Sequence, residues 1–248
     1  MPCLALLFFS GPLHGQYDLI IEPKPPQADS REELDLYLNI FQLQDPKKVI
    51  ESAAKFVRLY PDSEFLAQIR RLEMRSYLTL DDAENAVAAG EKLLSIRPRD
   101  AEAFLTLAKV LPRIKGNKDE NLPRAEHYAR SALQEIAALR APRTITIKEF
   151  EKIICEMQSG VHEALGLIAF QRDQFSQSVT EFETSISLHP TAGGSLYYRL
   201  GVAYKFMDNR TKARVALRRA AELGPAVVRD LARVQLAELQ RNQPLTEK

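Results

Sequence analysis

From Ser30 onward the chain reads as apolar stripes at helical spacing separated by short polar breaks, with no run of alternating β-branched residues to suggest a sheet. Leu36 and Ile40, then Val49, Ala53 and Phe56, lie ahead of Pro61, and Tyr77, then Ala86, Gly90 and Leu93, lie ahead of Pro98 in the same way. Leu107, Ala108 and Leu111, followed by Ala125, Ala129 and Ala132, make a third such pair of stripes. The last two copies agree position by position. Leu165, Gly166, Ala169, Ser178, Phe182 and Ser185 hold the same offsets as Leu200, Gly201, Tyr204, Ala213, Leu217 and Ala220, and both Gly166 to Gly201 and Pro190 to Pro225 span 35 residues. Each stretch breaks once, near Arg172-Asp173-Gln174 or Met207-Asp208-Asn209, and a proline stops it. The pattern predicts pairs of antiparallel helices, each pair a helix-turn-helix hairpin, with glycine where the two helices approach too closely for a Cβ.

Boundaries follow from the same signals. Ser30-Arg-Glu-Glu33 is a capping box that predicts the start of the first helix. Residues 30–225 form the repeats. Residues 226–243 form a lone amphipathic helix, with Val227, Val228, Leu231, Val234, Leu236 and Leu239 on its apolar side, which predicts a cap over the last repeat. Residues 244–248 form a tail. The segment from Pro112 to Pro123 predicts a lengthened polar turn within the third hairpin, and Thr144 to Gln158 predicts either a backward extension of the next helix or an extra helix. Ahead of the repeats, residues 1–15 are apolar and uncharged up to Phe9 and then break at Gly11-Pro12, which predicts a secretory signal. That run is too short to span a bilayer. Residues 16–29, with Pro23, Pro25 and Pro26, predict an extended linker.

These residues resemble the tetratricopeptide repeat, whose pattern joins a Leu-Gly pair, a tyrosine, alanines on the second helix and a terminal proline. Leu200-Gly201, Tyr204, Ala213, Ala220 and Pro225 carry the resemblance best, followed by Leu165-Gly166, Phe182 and Pro190. The resemblance implies an all-α protein, a right-handed α-solenoid of about five helix-turn-helix repeats with a C-terminal capping helix. It also implies a groove, lined by the first helix of each repeat, that binds a peptide or helix of a protein partner. Carried across residue by residue, the lining is Arg71 and Arg75, Thr106 and Lys109, Glu163 and Phe170, and Tyr198, Val202 and Lys205. That set is basic toward the middle and apolar beyond, which suits an acidic or amphipathic ligand. On this reading, reversing the charges of Arg71 and Arg75 weakens the partner and leaves the fold unchanged. The carboxylate clamp of some relatives, a Lys and an Asn four residues apart, has no counterpart, since those places hold Leu34 with Leu38, Arg71 with Arg75 and Leu105 with Lys109.

Composition narrows the function classes without changing this picture. With 34 Lys and Arg against 33 Asp and Glu, the chain lacks the field of a protein that grips phosphates, so nucleic acid is not an expected partner. Two cysteines, Cys3 and Cys155, exclude a disulfide framework and show no metal-ligand spacing. Phosphate-loop, dinucleotide, nucleophile-elbow and zinc-protease motifs are all missing, and His14, His127, His162 and His189 are scattered. No catalytic residue, cofactor or metal is therefore expected. Three readings remain: an exported interaction scaffold of the cell envelope, a cytosolic adaptor, or an enzyme on a helical-repeat frame. Self-association through an uncovered end face is compatible with the first two.

Overall fold

A computed structural model describes residues 26–241 apart from Arg143, Pro190 and Ala192. The signal expected in residues 1–15, the linker as far as residue 25, the repeat-closing Pro190, the last two residues of the expected capping helix and the tail lie outside the described residues. The described residues form eleven α-helices, one short 3-10 helix and no strand. They are α1 (Arg31–Gln42), α2 (Pro46–Leu59), α3 (Leu66–Thr79), α4 (Ala83–Ile96), α5 (Ala101–Val110), α6 (Lys118–Ala138), α7 (Ile147–Gln171), α8 (Phe175–Leu188), α9 (Gly194–Phe206), α10 (Arg210–Leu223) and α11 (Ala226–Arg241), with the 3-10 turn at Leu111–Arg113. The chain divides into two compact units, and the boundary between Ile153 and Ile154 falls inside α7.

In the first unit α1 packs on α2, α2 on α3, α3 on α4, α4 on α5 and α5 on α6. Ile40, Val49, Ala53, Phe56, Phe65 and Ile69 make one buried cluster, and Ala67, Met74, Ala89, Leu93 and Ala103 make the next. The starts of these helices are set by short polar side chains that accept the orphan amides. Ser30 Oγ takes the Glu33 amide at 3.1 Å, Asp45 that of Lys47 at 2.9 Å, Asp82 that of Asn85 at 3.1 Å and Asp100 that of Ala103 at 2.9 Å. The capping box at Ser30 is shifted by one residue, because Glu33 accepts the Asp29 amide at 2.7 Å rather than that of Ser30.

The third hairpin differs from the sequence expectation. Its turn ends at Asn117, which adopts a left-handed conformation with φ 44°, and α6 starts at Lys118 with Pro123 inside it. The proline forfeits one intrahelical bond near the start of the helix. Asp119 and Glu120 favour the positive end of the helix dipole there, and Asn121 and Leu122 are buried, which outweighs that loss.

In the second unit, α7 packs on α8, α8 on α9, α9 on α10, and α11 covers both α9 and α10. The α7–α8 pair shows why glycine and serine sit in its stripe. A Cβ at Gly166 would lie 2.5 Å from the Phe182 ring, and one at Gly201 would lie 2.7 Å from Leu217 Cγ. Ser178 and Ser185 are fully buried because their hydroxyls donate to the carbonyls of Gly166 and Ser159, each at 2.8 Å. Tyr204, Ala213 and Ala220 are buried in the α9–α10 hairpin, and Pro225 begins the turn into α11, accepting the Arg229 amide at 2.9 Å. Of the two readings of Thr144 to Gln158, the backward extension holds. The 25-residue α7 starts at a capping box in which Thr146 and Glu149 exchange bonds of 2.8 and 3.2 Å.

One turn recurs. Asp81, Asp173 and Asp208 have φ of 56°, 59° and 53°, and in each case the next residue donates its amide to a carbonyl five positions back, of Tyr77, Ala169 and Tyr204. Aspartate tolerates the left-handed region better than other side-chain-bearing residues, so the three hairpins turn alike.

Two outcomes test this packing. Gly166→Ala drives a methyl into the Phe182 ring and lowers stability by about 1–3 kcal/mol, read from urea unfolding. Asp208→Val lowers the melting temperature through strain at positive φ, whereas Asp208→Gly leaves it near the native value.

Candidate functional site

The sequence places the binding groove on the first helices, and the structure gives those helices a second task. Arg71 is only 7% exposed and Asp100 only 1%. The Asp100 carboxylate uses Oδ1 to cap α5 and Oδ2 to accept from the Arg71 guanidinium. Glu102, two residues further on, accepts Arg75 Nε at 2.8 Å and Nη2 at 2.9 Å, and Arg71 Nε also lies 3.3 Å from it. Arginines of the second repeat are thereby clamped to acids at the start of the third. Burial pushes the Glu102 carboxyl above its ordinary range, against the pull of Arg75 and Arg71. The two arginines thus do not form an open basic strip, and the four groups together are neutral.

Thr106 is buried, and Lys109 is half-buried and engaged by neighbours. In the second unit, Phe170, Tyr198 and Val202 belong to the core. Phe170 meets the rings of Phe175 and Phe206 edge-on at 5.3 and 5.4 Å, and those two stack at 4.7 Å with Phe206 exposed. Glu163 pairs with Arg199 between the first helices of adjacent hairpins. Lys205 bonds Gln235 at 2.7 Å and Glu238 at 2.5 Å on α11. The first helices are tied to one another by charge pairs in both units, a device no single repeat reveals because the partners lie 27 to 36 residues apart.

Second helices carry a related contact. Glu91 on α4 accepts the Tyr128 hydroxyl at 3.0 Å and pairs with Arg124, both on α6. Glu183 on α8 accepts the Tyr204 hydroxyl, and Lys212 lies 5.2 Å over the Tyr204 ring. Burial first, and then Glu183, push the Tyr204 hydroxyl well above its usual value. Among the histidines, His162 meets Glu181 at 2.7 Å within the α7–α8 hairpin, and His189 lies 3.8 Å from Glu156. Cys155 is half-buried and unpaired rather than sealed in the core. Among the described residues no group of three or more His, Cys, Asp or Glu side chains is placed to hold a metal, and no helix is long and apolar enough to cross a membrane.

The sequence model of the tetratricopeptide repeat matches residues 194–226, which is α9 with α10. The α9–α10 hairpin is thus a tetratricopeptide repeat. No curated protein matches it. Among solved structures it is similar to MamA 41-end from Desulfovibrio magneticus RS-1, with 15% identity over 87% of this chain and 99% of that one and a TM-score of 0.57. It is also similar to PilW, described as a widely conserved type IV pilus biogenesis factor, with 16% identity, 87% and 94% coverage and a TM-score of 0.55. At these identities the likeness is one of fold. The chain shares with them a fold of stacked helical hairpins.

Two measurements check the site. Arg71→Glu with Arg75→Glu sets four acids together in a buried place and lowers the stability of the first unit by more than ~3 kcal/mol in urea unfolding, contrary to the sequence expectation of an unchanged fold. Tyr204 stays protonated in the folded chain at a pH where the unfolded chain loses that proton, so its contribution is fully present below pH ~10 and is lost as pH rises above it. Tyr204→Phe removes this alkaline loss, read as a flatter fall of the urea midpoint between pH ~9 and ~11.

Proposed function

We propose that the chain is a non-enzymatic scaffold of the cell envelope that holds a peptide or helix of a protein partner against the edge of its first helices. The observation that carries this reading is Arg75. Its side chain is 24% exposed, its Nε and Nη2 are fixed on Glu102, and its remaining N–H donors have no partner among the described residues. A guanidinium locked in place with donors to spare can take a backbone carbonyl or carboxylate of a ligand without losing further side-chain freedom. Lys205 is held in a similar way by Gln235 and Glu238 and stays partly exposed.

The neutral balance of the Arg71, Arg75, Asp100 and Glu102 cluster favours an amphipathic ligand over a strongly acidic one, so apolar contact supplies affinity and the charges supply register. Export rests on the apolar N-terminal segment, and PilW offers an analogy of fold with a pilus biogenesis factor. The scaffold reading rests on the repeat itself.

In-cell cross-linking followed by capture of the full chain tests the proposal. The native chain recovers a partner whose cross-links fall on α3 and α5. Arg75→Lys retains the charge facing Glu102, loses the planar fork and most of the spare donors, and lowers that recovery with urea stability within ~1 kcal/mol of native. Equal recovery by both chains removes the support for this edge. Cleavage within the first 16 residues, read from the mass of the protein isolated from its host, tests export.

A further inference from the structure

The last hairpin carries arginine where the one before it carries an acid and an apolar side chain. On α8, Glu183 stands 35 residues before Arg218 and faces the following hairpin, where it accepts the Tyr204 hydroxyl and lies 3.9 Å from Lys212. Val179, 35 residues before Arg214, is buried. On α10 those two places hold Arg214, half-buried, and Arg218, exposed, and only α11 follows among the described residues. Lys212 faces α8, so Arg214, two residues on and nearly opposite around the helix, lies on the flank turned toward α11. Arg229 and Arg233 are exposed on α11, on the flank away from Glu238, whose carboxylate holds Lys205 of α9. Two arginines four residues apart on each helix thus border the α10–α11 seam.

Pairing within the chain does not account for these arginines. Residues 210–241 hold eight Lys and Arg against three Asp and Glu, in a chain whose total is 34 against 33. All three acids are taken: Glu222 by Arg219 at 3.1 Å, Asp230 by Arg233 at 3.3 Å and Glu238 by Lys205 at 2.5 Å. Arg214, Arg218 and Arg229 have no partner among the described residues. Like charges four apart on a helix repel. An end face has only to be polar to stay in water, and mixed signs achieve that without such repulsion. Charge of one sign, with the acids withdrawn into pairs, is matched instead by a surface of the opposite sign.

We propose that this flank of α10 and α11 rests on the headgroups of an anionic phospholipid membrane. A guanidinium forks two N–H donors onto phosphate oxygens, and a cluster of about four or more such cations on a helical surface favours anionic headgroups. A laterally extended target of this kind needs no groove to enclose it. Exposed Val215, one turn before Arg218, adds apolar contact at the same surface. Attraction through headgroup charge is screened by salt, so binding weakens as ionic strength rises. The edge of α3 and α5 takes no part, so this proposal stands apart from the protein-partner reading.

Co-sedimentation of the full chain with vesicles tests this, using phosphatidylcholine alone and phosphatidylcholine mixed with phosphatidylglycerol. The native chain is expected to bind the mixed vesicles and not the neutral ones. Arg214→Gln with Arg218→Gln is expected to weaken that binding about 30-fold, at about fivefold for each cation. Arg31→Gln with Arg130→Gln removes the same charge from exposed arginines of α1 and α6 that Asp35 and Glu126 hold, and is expected to bind within about threefold of native. Melting temperatures near the native value confirm that both variants fold. A native chain that ignores the mixed vesicles, or that binds the neutral ones equally, overturns the proposal. So does native binding by the Arg214, Arg218 variant, or an equal loss in both variants, which would report total charge rather than this flank. Capture of a polyglutamate peptide or of duplex DNA by the native chain and not by the Arg214, Arg218 variant, without vesicle binding, would assign the flank to an acidic protein or a nucleic acid instead.

Discussion

A single buried carboxylate organises the first unit. Asp100 must cap α5, because a helix start with unmet amides inside a packed unit is costly, and it must also neutralise Arg71, because a lone guanidinium at that depth is costlier still. Either task alone would fix a side chain; both together fix the placement of α3 relative to the start of α5. Glu102, two residues on, takes Arg75, one turn after Arg71, bidentately. An apolar pair of similar volume could match or exceed the stability of such a pair, so its distinctive contribution is register: it admits one alignment of neighbouring hairpins and penalises a slipped one.

The second unit reaches the same end with different chemistry. Ring against missing Cβ sets the α7–α8 distance, and serine hydroxyls spend their donors on the carbonyls of the facing helix. Glu163 with Arg199, and Lys205 with Gln235 and Glu238, then tie first helix to first helix. Because these contacts immobilise the long side chains of the first-helix faces, whatever donors remain unused are presented with little entropy left to lose. Under the proposed function, stability and recognition share the same residues, so the binding of a variant is read together with its unfolding.

What could be read from the sequence was what is local. Apolar spacing in Val49, Ala53 and Phe56 or in Ala213, Leu217 and Ala220 determines a helix face from a dozen residues, and the glycine opposite Phe182 follows from the same stripe. Whether an arginine is free is not local. Arg71 and Arg75 looked like groove cations because their partners stand 29 and 27 residues away, in the next repeat. Phe170, Tyr198 and Val202 fell to the core for the same reason, since a first helix between two neighbours has little surface left. Other features carried a local signal that went unread: the aspartates at one turn position, Asp81, Asp173 and Asp208, and the Thr146–Glu149 box that starts α7. The early start of α6 defied the reading because Pro123 is a strong stop signal that buried Leu122 and an acidic first turn overrode.

The central claim is that the first-helix arginines are struts between repeats. A double-mutant cycle tests it most directly, combining Arg71→Met with Asp100→Asn, which retains an acceptor to cap α5, and reading stability by urea unfolding. Contact across the pair predicts a coupling energy of about 1–3 kcal/mol. Additive effects, with no coupling, would mean that Arg71 and Asp100 act independently and would contradict the account.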